Sequence, residues 1–196
     1  MKLQIITGSI RQNRQTGRLG VWVYKEAQKL EGVEVELVDL ADYNLPLFEE
    51  GISPRYNPDR KTEGDVKRWL DKLNEADAYV LVTPEYNRSV PGALKNAIDY
   101  IAHEVTRKPV GIVAHGVTGG AQSVAHLRGI LPGVLAVSVP EVTYFSDRVA
   151  EHIDEEGTLS EELQAREYGP LNSVRATLNE TVWYGNALKA AREQAS

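Results

Sequence analysis

The chain has no cysteine. Disulfides, thiolate nucleophiles, iron–sulfur ligation and dithiol redox chemistry are therefore excluded. Its four histidines, His103, His115, His126 and His152, fall in no metal-ligand spacing, so no metal site is expected. No apolar run approaches the ~20 residues that span a bilayer. The apolar part of the opening stretch MKLQIITGS is too short for a secretory leader, which makes the cytoplasm the expected location. Net charge is −6, and lysine and arginine are scattered except near residues 11–18. Neither a nucleic-acid partner nor a membrane surface is expected from that distribution. If the protein performs redox chemistry, a bound organic cofactor must carry the electrons.

What is present is ordinary in bulk. The 196 residues, 42% hydrophobic and 26% charged, match a soluble globular protein. They are read as a single domain over 1–196, able to bury roughly 70% of its unfolded surface. Strand-like and helix-like segments alternate. KLQIIT (2–7) reads as a strand, and 16–31 as a helix with Leu19, Val23, Ala27 and Leu30 on one face. VEVELVDL (33–40) alternates like an edge strand, whereas AYVLVT (78–83) and PVGIVAH (109–115) are apolar throughout, like strands covered on both faces. Helices fit 62–76, 91–103 and 119–131, a fifth strand falls near 134–139, and a last helix runs over 172–194. Five β/α units with one edge-type strand predict an α/β doubly wound parallel sheet of order 2-1-3-4-5, with helices on both faces. Two long connections, 41–61 with its aromatics and prolines and the acidic 146–170, read either as lids or interface pieces or as plain surface loops.

In such a sheet ligands bind beyond the carboxyl ends of the strands, where the strand order reverses. Three chemically unusual loops fall there. TGSIRQNRQTG (7–17) offers Gly8 for a tight turn, donors in Ser9, Asn13 and Thr16, and positive charge from Arg11 and Arg14 near a helix N-terminus. It matches neither a P-loop nor a Rossmann turn, and it suits a terminal phosphate monoester. Ser9 as a plain cap with solvated arginines is the competing reading. TPEYNRSVPGALKNAIDY (83–100) ends a buried strand in Pro84-Glu85-Tyr86-Asn87. Ser89 as N-cap and Pro91 in the first turn account for its second half but not for its first. Tyr86 offers a flat face, Asn87 an amide for a pyrimidine-like edge, and Glu85 a carboxylate placed to support a helix end. HGVTGGAQSV (115–124) carries Gly116, Gly119 and Gly120, either for close approach to a ligand or as a flexible turn with Thr118 as cap.

The combination of GSIR, PEYNRSVPGALKNAIDY and HGVTGGAQ resembles the NADPH-dependent FMN reductase family, over roughly residues 1–140. That family has a flavodoxin-like fold and includes quinone, azo-dye and chromate reductases. The resemblance implies FMN as cofactor and NADPH or NADH as hydride donor. It assigns Ser9, Arg11, Asn13 and Thr16 to the FMN phosphate. Pro84, Glu85, Tyr86, Asn87 and Ser89 would line the isoalloxazine ring and ribityl chain, and His115, Gly116, Gly119 and Gly120 would close the ring's other side. Many relatives have Ser where this chain has Thr16, which keeps the hydroxyl, and small polar residues where it has His115. No catalytic side chain is required, because flavin N5 takes the hydride. Ping-pong transfer to a quinone, free flavin, azo compound or metal oxyanion is the expected reaction. A flavodoxin-type electron carrier and a non-catalytic flavin-binding regulator are the alternatives. A homodimer or homotetramer is expected from the broad apolar arc of 91–103 and from Trp183 and Tyr184 on the last helix.

Overall fold

The computed structural model describes residues 1–195. Its centre is a parallel sheet of order β2-β1-β3-β4-β5, formed by β1 (Lys2–Thr7), β2 (Glu34–Asp39), β3 (Ala78–Pro84), β4 (Pro109–His115) and β5 (Val137–Phe145). The expected topology is the observed one. Every residue of β3 is buried, and its side chains alternate between two apolar cores. Tyr79 and Leu81 face Trp69, Leu73, Leu94, Ile98 and Leu127 of α2 (Gly64–Asn74), α3 (Gly92–Asp99) and α4 (Ala121–Ile130). Ala78, Val80 and Val82 face Leu19, Trp22, Val23, Val174 and Leu178 of α1 (Gln15–Ala27) and α7 (Pro170–Gln194). This period-two division is what a central strand with both faces covered requires.

Several elements end where tertiary contacts stop them. The helix expected over 91–103 closes at Asp99. The Glu104 carboxylate accepts the N–H groups of Ala102 (2.7 Å) and His103 (3.0 Å), taking donors that would have continued the helix. Arg60 Nη1 donates to the Tyr100 carbonyl at 2.9 Å. The fifth strand, expected near 134–139, runs from Val137 to Phe145. A register irregularity opposite Val110–Ile112 absorbs the segment containing Pro140, as an edge strand permits.

The two long connections are held down. In 41–61, Asn96 Oδ1 accepts from Phe48 N (2.8 Å), Asn96 Nδ2 donates to Pro46 O (2.7 Å), and the Phe48 ring packs edge-on to Tyr100. Arg60 pairs with Glu50 at 2.6 Å. The 146–170 segment forms α5 (Val149–His152) and α6 (Glu161–Ala165), and buries Val149, Ile153, Leu159 and Leu163 against α1 and α7.

Candidate functional site

Order reversal around β1 brings the loops after β1, β3 and β4 to one edge of the sheet. The first loop leaves β1 as Gly8 N donates to Val82 O (2.8 Å), buries Ser9, and turns through Asn13 at φ 55. It enters α1 with Arg14 as N-cap residue, yet no side chain caps the first turn and no acid stands in it. The N–H groups there are left to water or to an anion. Ser9 therefore does not act as a helix cap. The Arg14 guanidinium is paired with Asp39 at the end of β2, which also accepts from Thr7 Oγ1 (3.0 Å) and Ala41 N (3.0 Å). Arg11 is exposed, its guanidinium carbon 5.1 Å from the centre of the Tyr86 ring.

The second loop is a tight hairpin. Tyr86 N donates to Ser89 O (2.9 Å) and Ser89 N to Tyr86 O (3.0 Å), while Asn87 and Arg88 between them stand at φ 49 and 66. Two successive positive φ values are those of a type I′ turn. The backbones of Tyr86 and Ser89 are thus occupied with each other, and Asn87 and Arg88 form the exposed tip. Ser89 is not the N-cap of α3: Pro91 holds that place, and Ser89 Oγ lies 2.8 Å from His126 Nδ1. Glu85 supports a helix end, its carboxylate accepting Gln122 N at the start of α4 (3.0 Å).

In the third loop Gly116, Gly119 and Gly120 all have positive φ. The reason lies within the chain. A Cβ on Gly120 would stand 2.7 Å from Ala114 Cβ and 2.9 Å from His115 N, and one on Gly119 would stand 3.0 Å from Tyr144 Cβ. A Cβ on Gly116 would stand 3.3 Å from Glu85 Cβ. Thr118 is exposed and Gly120 is the N-cap residue of α4, so Thr118 caps nothing.

Hydrogen bonds lock the three loops together. Ser9 Oγ lies 2.8 Å from Tyr86 Oη, and Thr16 Oγ1 lies 2.9 Å from His115 Nε2. Glu85 N donates to His115 O at 2.9 Å. Burial pushes the His115 imidazole down to about 4, so the ring is neutral at ordinary pH. Sequence reading missed three supporting residues. Ser123, fully buried, places its hydroxyl 3.0 Å from Pro84 O and 2.9 Å from Ser89 O, and so holds the hairpin down. Its signal was a serine on the buried face of AQSVAHL. Asp39 and His126 gave weaker signals: an acid ending an alternating strand, and a histidine in a helix.

Residues 1–151 match the family described as NADPH-dependent FMN reductase. This chain belongs to that family. It is an oxidoreductase, with FMN and NAD(P)H as its cofactors. Among its relatives is an NAD(P)H-dependent FMN reductase of Schizosaccharomyces pombe, 34% identical over 155 residues that cover 78% of each chain. An NADPH azoreductase of a Bacillus species is 38% identical over 144 residues, 72% of this chain and 74% of the relative. The solved structure of the flavoenzyme NAD(P)H:(acceptor) oxidoreductase FerB from Paracoccus denitrificans superposes with a TM-score of 0.71 at 27% identity, covering 93% of this chain and 98% of that one.

The residues present fit a phosphorylated flavin. An uncapped, acid-free helix start flanked by Ser9, Arg11, Asn13 and Thr16 suits a phosphate monoester. The hairpin tip beside it presents the exposed Asn87 amide, which suits a planar, polar edge.

Proposed function

We propose that this single domain, residues 1–196, is an FMN-dependent NAD(P)H oxidoreductase that reduces a quinone, free flavin, azo compound or metal oxyanion by ping-pong turnover. The observation that carries the reading is the hydrogen-bonded closure of three loops around one uncapped helix start. Ser9, Arg11, Asn13 and Thr16 hold the FMN phosphate. Pro84, Glu85, Tyr86, Asn87 and Ser89 border the ring and ribityl chain, and His115, Gly116, Gly119 and Gly120 close the far side. When bound, FMN supplies the atom that accepts hydride and passes electrons on. The chain's own part is to bind, orient and exclude water: Ser123 and Glu85 brace the hairpin, and the three glycines let the last loop lie close against Glu85 and Tyr144. No side chain is asked to act as nucleophile. A ring held between these loops would leave one face for both nicotinamide and acceptor, which would then have to occupy it in turn; that is the physical basis for ping-pong kinetics.

Arg14 does not carry the choice between NADPH and NADH, because Asp39 already neutralises it. The cytoplasm, where NAD(P)H is regenerated, suits this activity. Among the described residues no helix is long and apolar enough to cross a membrane.

The same reading includes a homodimer or homotetramer, on altered grounds. Tyr100, part of the arc that pointed to an interface, is covered by the chain's own 41–61 segment: its hydroxyl donates to Pro46 O and its ring packs against Phe48. What stays open is a cavity of about 440 Å³ between α3, α4 and the 54–56 turn, lined by Tyr56, Ile98, Ile130 and Val134. Trp183 remains 64% exposed on α7. Exposed aromatic surface of this kind favours an interface.

Steady-state oxidation of NADPH with menadione or an azo dye tests the function. Parallel double-reciprocal lines are expected. Absence of turnover by the flavin-loaded protein with every acceptor class overturns it. Light scattering after size exclusion tests the assembly, a mass near 21.7 kDa being the result that rejects it.

A further inference from the structure

We propose that His115 is a positioning residue whose Nε2–H fixes the Thr16 hydroxyl so that its proton points to an anion at the first turn of α1. The proposal rests on reading that turn as the FMN phosphate site. Thr16 is the second residue of α1 and is 1% exposed; its Oγ1 has His115 Nε2 at 2.9 Å, although the two residues are 99 apart in sequence. A hydroxyl has one proton and two lone pairs, whereas a neutral imidazole has one donor nitrogen and one acceptor. Two arrangements of this pair are therefore available.

If Nε2 carries the lone pair, the Thr16 proton is consumed by the imidazole. Only oxygen lone pairs then face the helix start, and an anion there is repelled. If Nε2 carries the proton, Thr16 Oγ1 accepts from His115 and its own proton is left to donate elsewhere. An anion at the turn selects the second arrangement. It does so at little cost in order, because both partners are already held. Thr16 is β-branched and buried, with restricted χ1 rotation. The His115 backbone pairs with Phe145 in the sheet, and its carbonyl accepts Glu85 N at 2.9 Å. Burial keeps the ring neutral, so it serves as a fixed single donor and not as a competing charge. The outcome is a hydroxyl pre-aimed by a strand end on the opposite loop, at a position where free rotation would otherwise have to be lost on binding.

The test is a double-mutant cycle read by flavin-fluorescence quenching on apoprotein, with FMN and riboflavin as parallel ligands. Wild type is expected to bind FMN more tightly than riboflavin. His115→Leu should weaken FMN about tenfold more than it weakens riboflavin, whose ring His115 also borders, tenfold being the size of a lost hydrogen bond to a charged group. Thr16→Val should do the same, and the double variant should be no worse than either single. His115→Gln, whose side-chain amide reaches the same place, should recover most of the FMN affinity. If His115→Leu does not fold, His115→Asn, too short to reach Thr16, takes its place in the cycle. Additive losses, equal weakening of both ligands, or no loss at all overturn the proposal alone. A wild-type protein that binds FMN no better than riboflavin removes the phosphate reading, and the proposal with it.

Discussion

The phenol oxygen of Tyr86 lies 2.8 Å from the hydroxyl of Ser9, joining two loops 77 residues apart in sequence across the edge of the sheet. Ser9 is fully buried, and among the described residues its Oγ has, beyond Tyr86, the Arg11 N–H at 3.4 Å. Tyr86→Phe leaves this hydroxyl poorly satisfied. The expected loss is about 1 kcal/mol of apoprotein stability, seen as a lower urea midpoint with unchanged slope. An unmoved midpoint would show that the bond does not hold the loops together in solution.

Arg11 is exposed, and its contact within the chain is the face of Tyr86. Such a contact is worth roughly 0.5–1 kcal/mol at an exposed site. Arg11→Ala should therefore change apoprotein stability little. Its effect should fall on the ligand: FMN affinity drops by about 10- to 150-fold if a charge-assisted bond to phosphate is lost. Calorimetric titration of the apo variant with FMN measures it, and an unchanged dissociation constant assigns Arg11 to solvent.

Arg88 occupies a hairpin tip at φ 66, a conformation that costs a side-chain-bearing residue roughly 1–2 kcal/mol and glycine almost nothing. Arg88→Gly should raise stability by about 1 kcal/mol and the melting temperature by about 2–4 °C for a chain of this size. A melting temperature equal to or below that of wild type would mean that the Arg88 side chain makes compensating contacts.

His115 supplies a pH dependence that can be assigned to one group. Burial lowers it from 6.5 to about 4. Between those values the unfolded chain holds a proton that the folded protein does not, so this group's contribution declines as pH falls. The stabilisation is fully present above pH ~6.5 and gone below pH ~4, with a span of at most about 3 kcal/mol. Comparing urea unfolding at pH 7 and pH 5, wild type should lose up to about 2 kcal/mol more than His115→Gln. Equal losses in the two proteins would place the proton on the folded-state imidazole as well.

The amino-acid sequence determined the sheet and its order, because those follow from local pattern. Unbroken apolar runs at 78–83 and 109–115 admit only strands covered on both faces, and the alternation at 33–40 admits only an edge. It also determined the three loops. Asn13, Asn87 and the paired glycines 119 and 120 are residues that a chain needs where the backbone must turn back on itself, and such requirements are written in residue type. What only the tertiary structure decided are the pairings across distant segments. Arg14 looked available to a ligand until Asp39, 25 residues on, was found against it. Helix α3 looked long until the Glu104 carboxylate took the N–H groups that would have extended it. Tyr100 looked free to form an interface until the 41–61 segment covered it. His115 was one more loop residue until its ring met Thr16. Periodicity and turn chemistry act between neighbours in the chain. An ion pair or a hydrogen bond across the sheet edge depends on which loops the fold brings within about 3 Å, and that distance exists only once the sheet has closed.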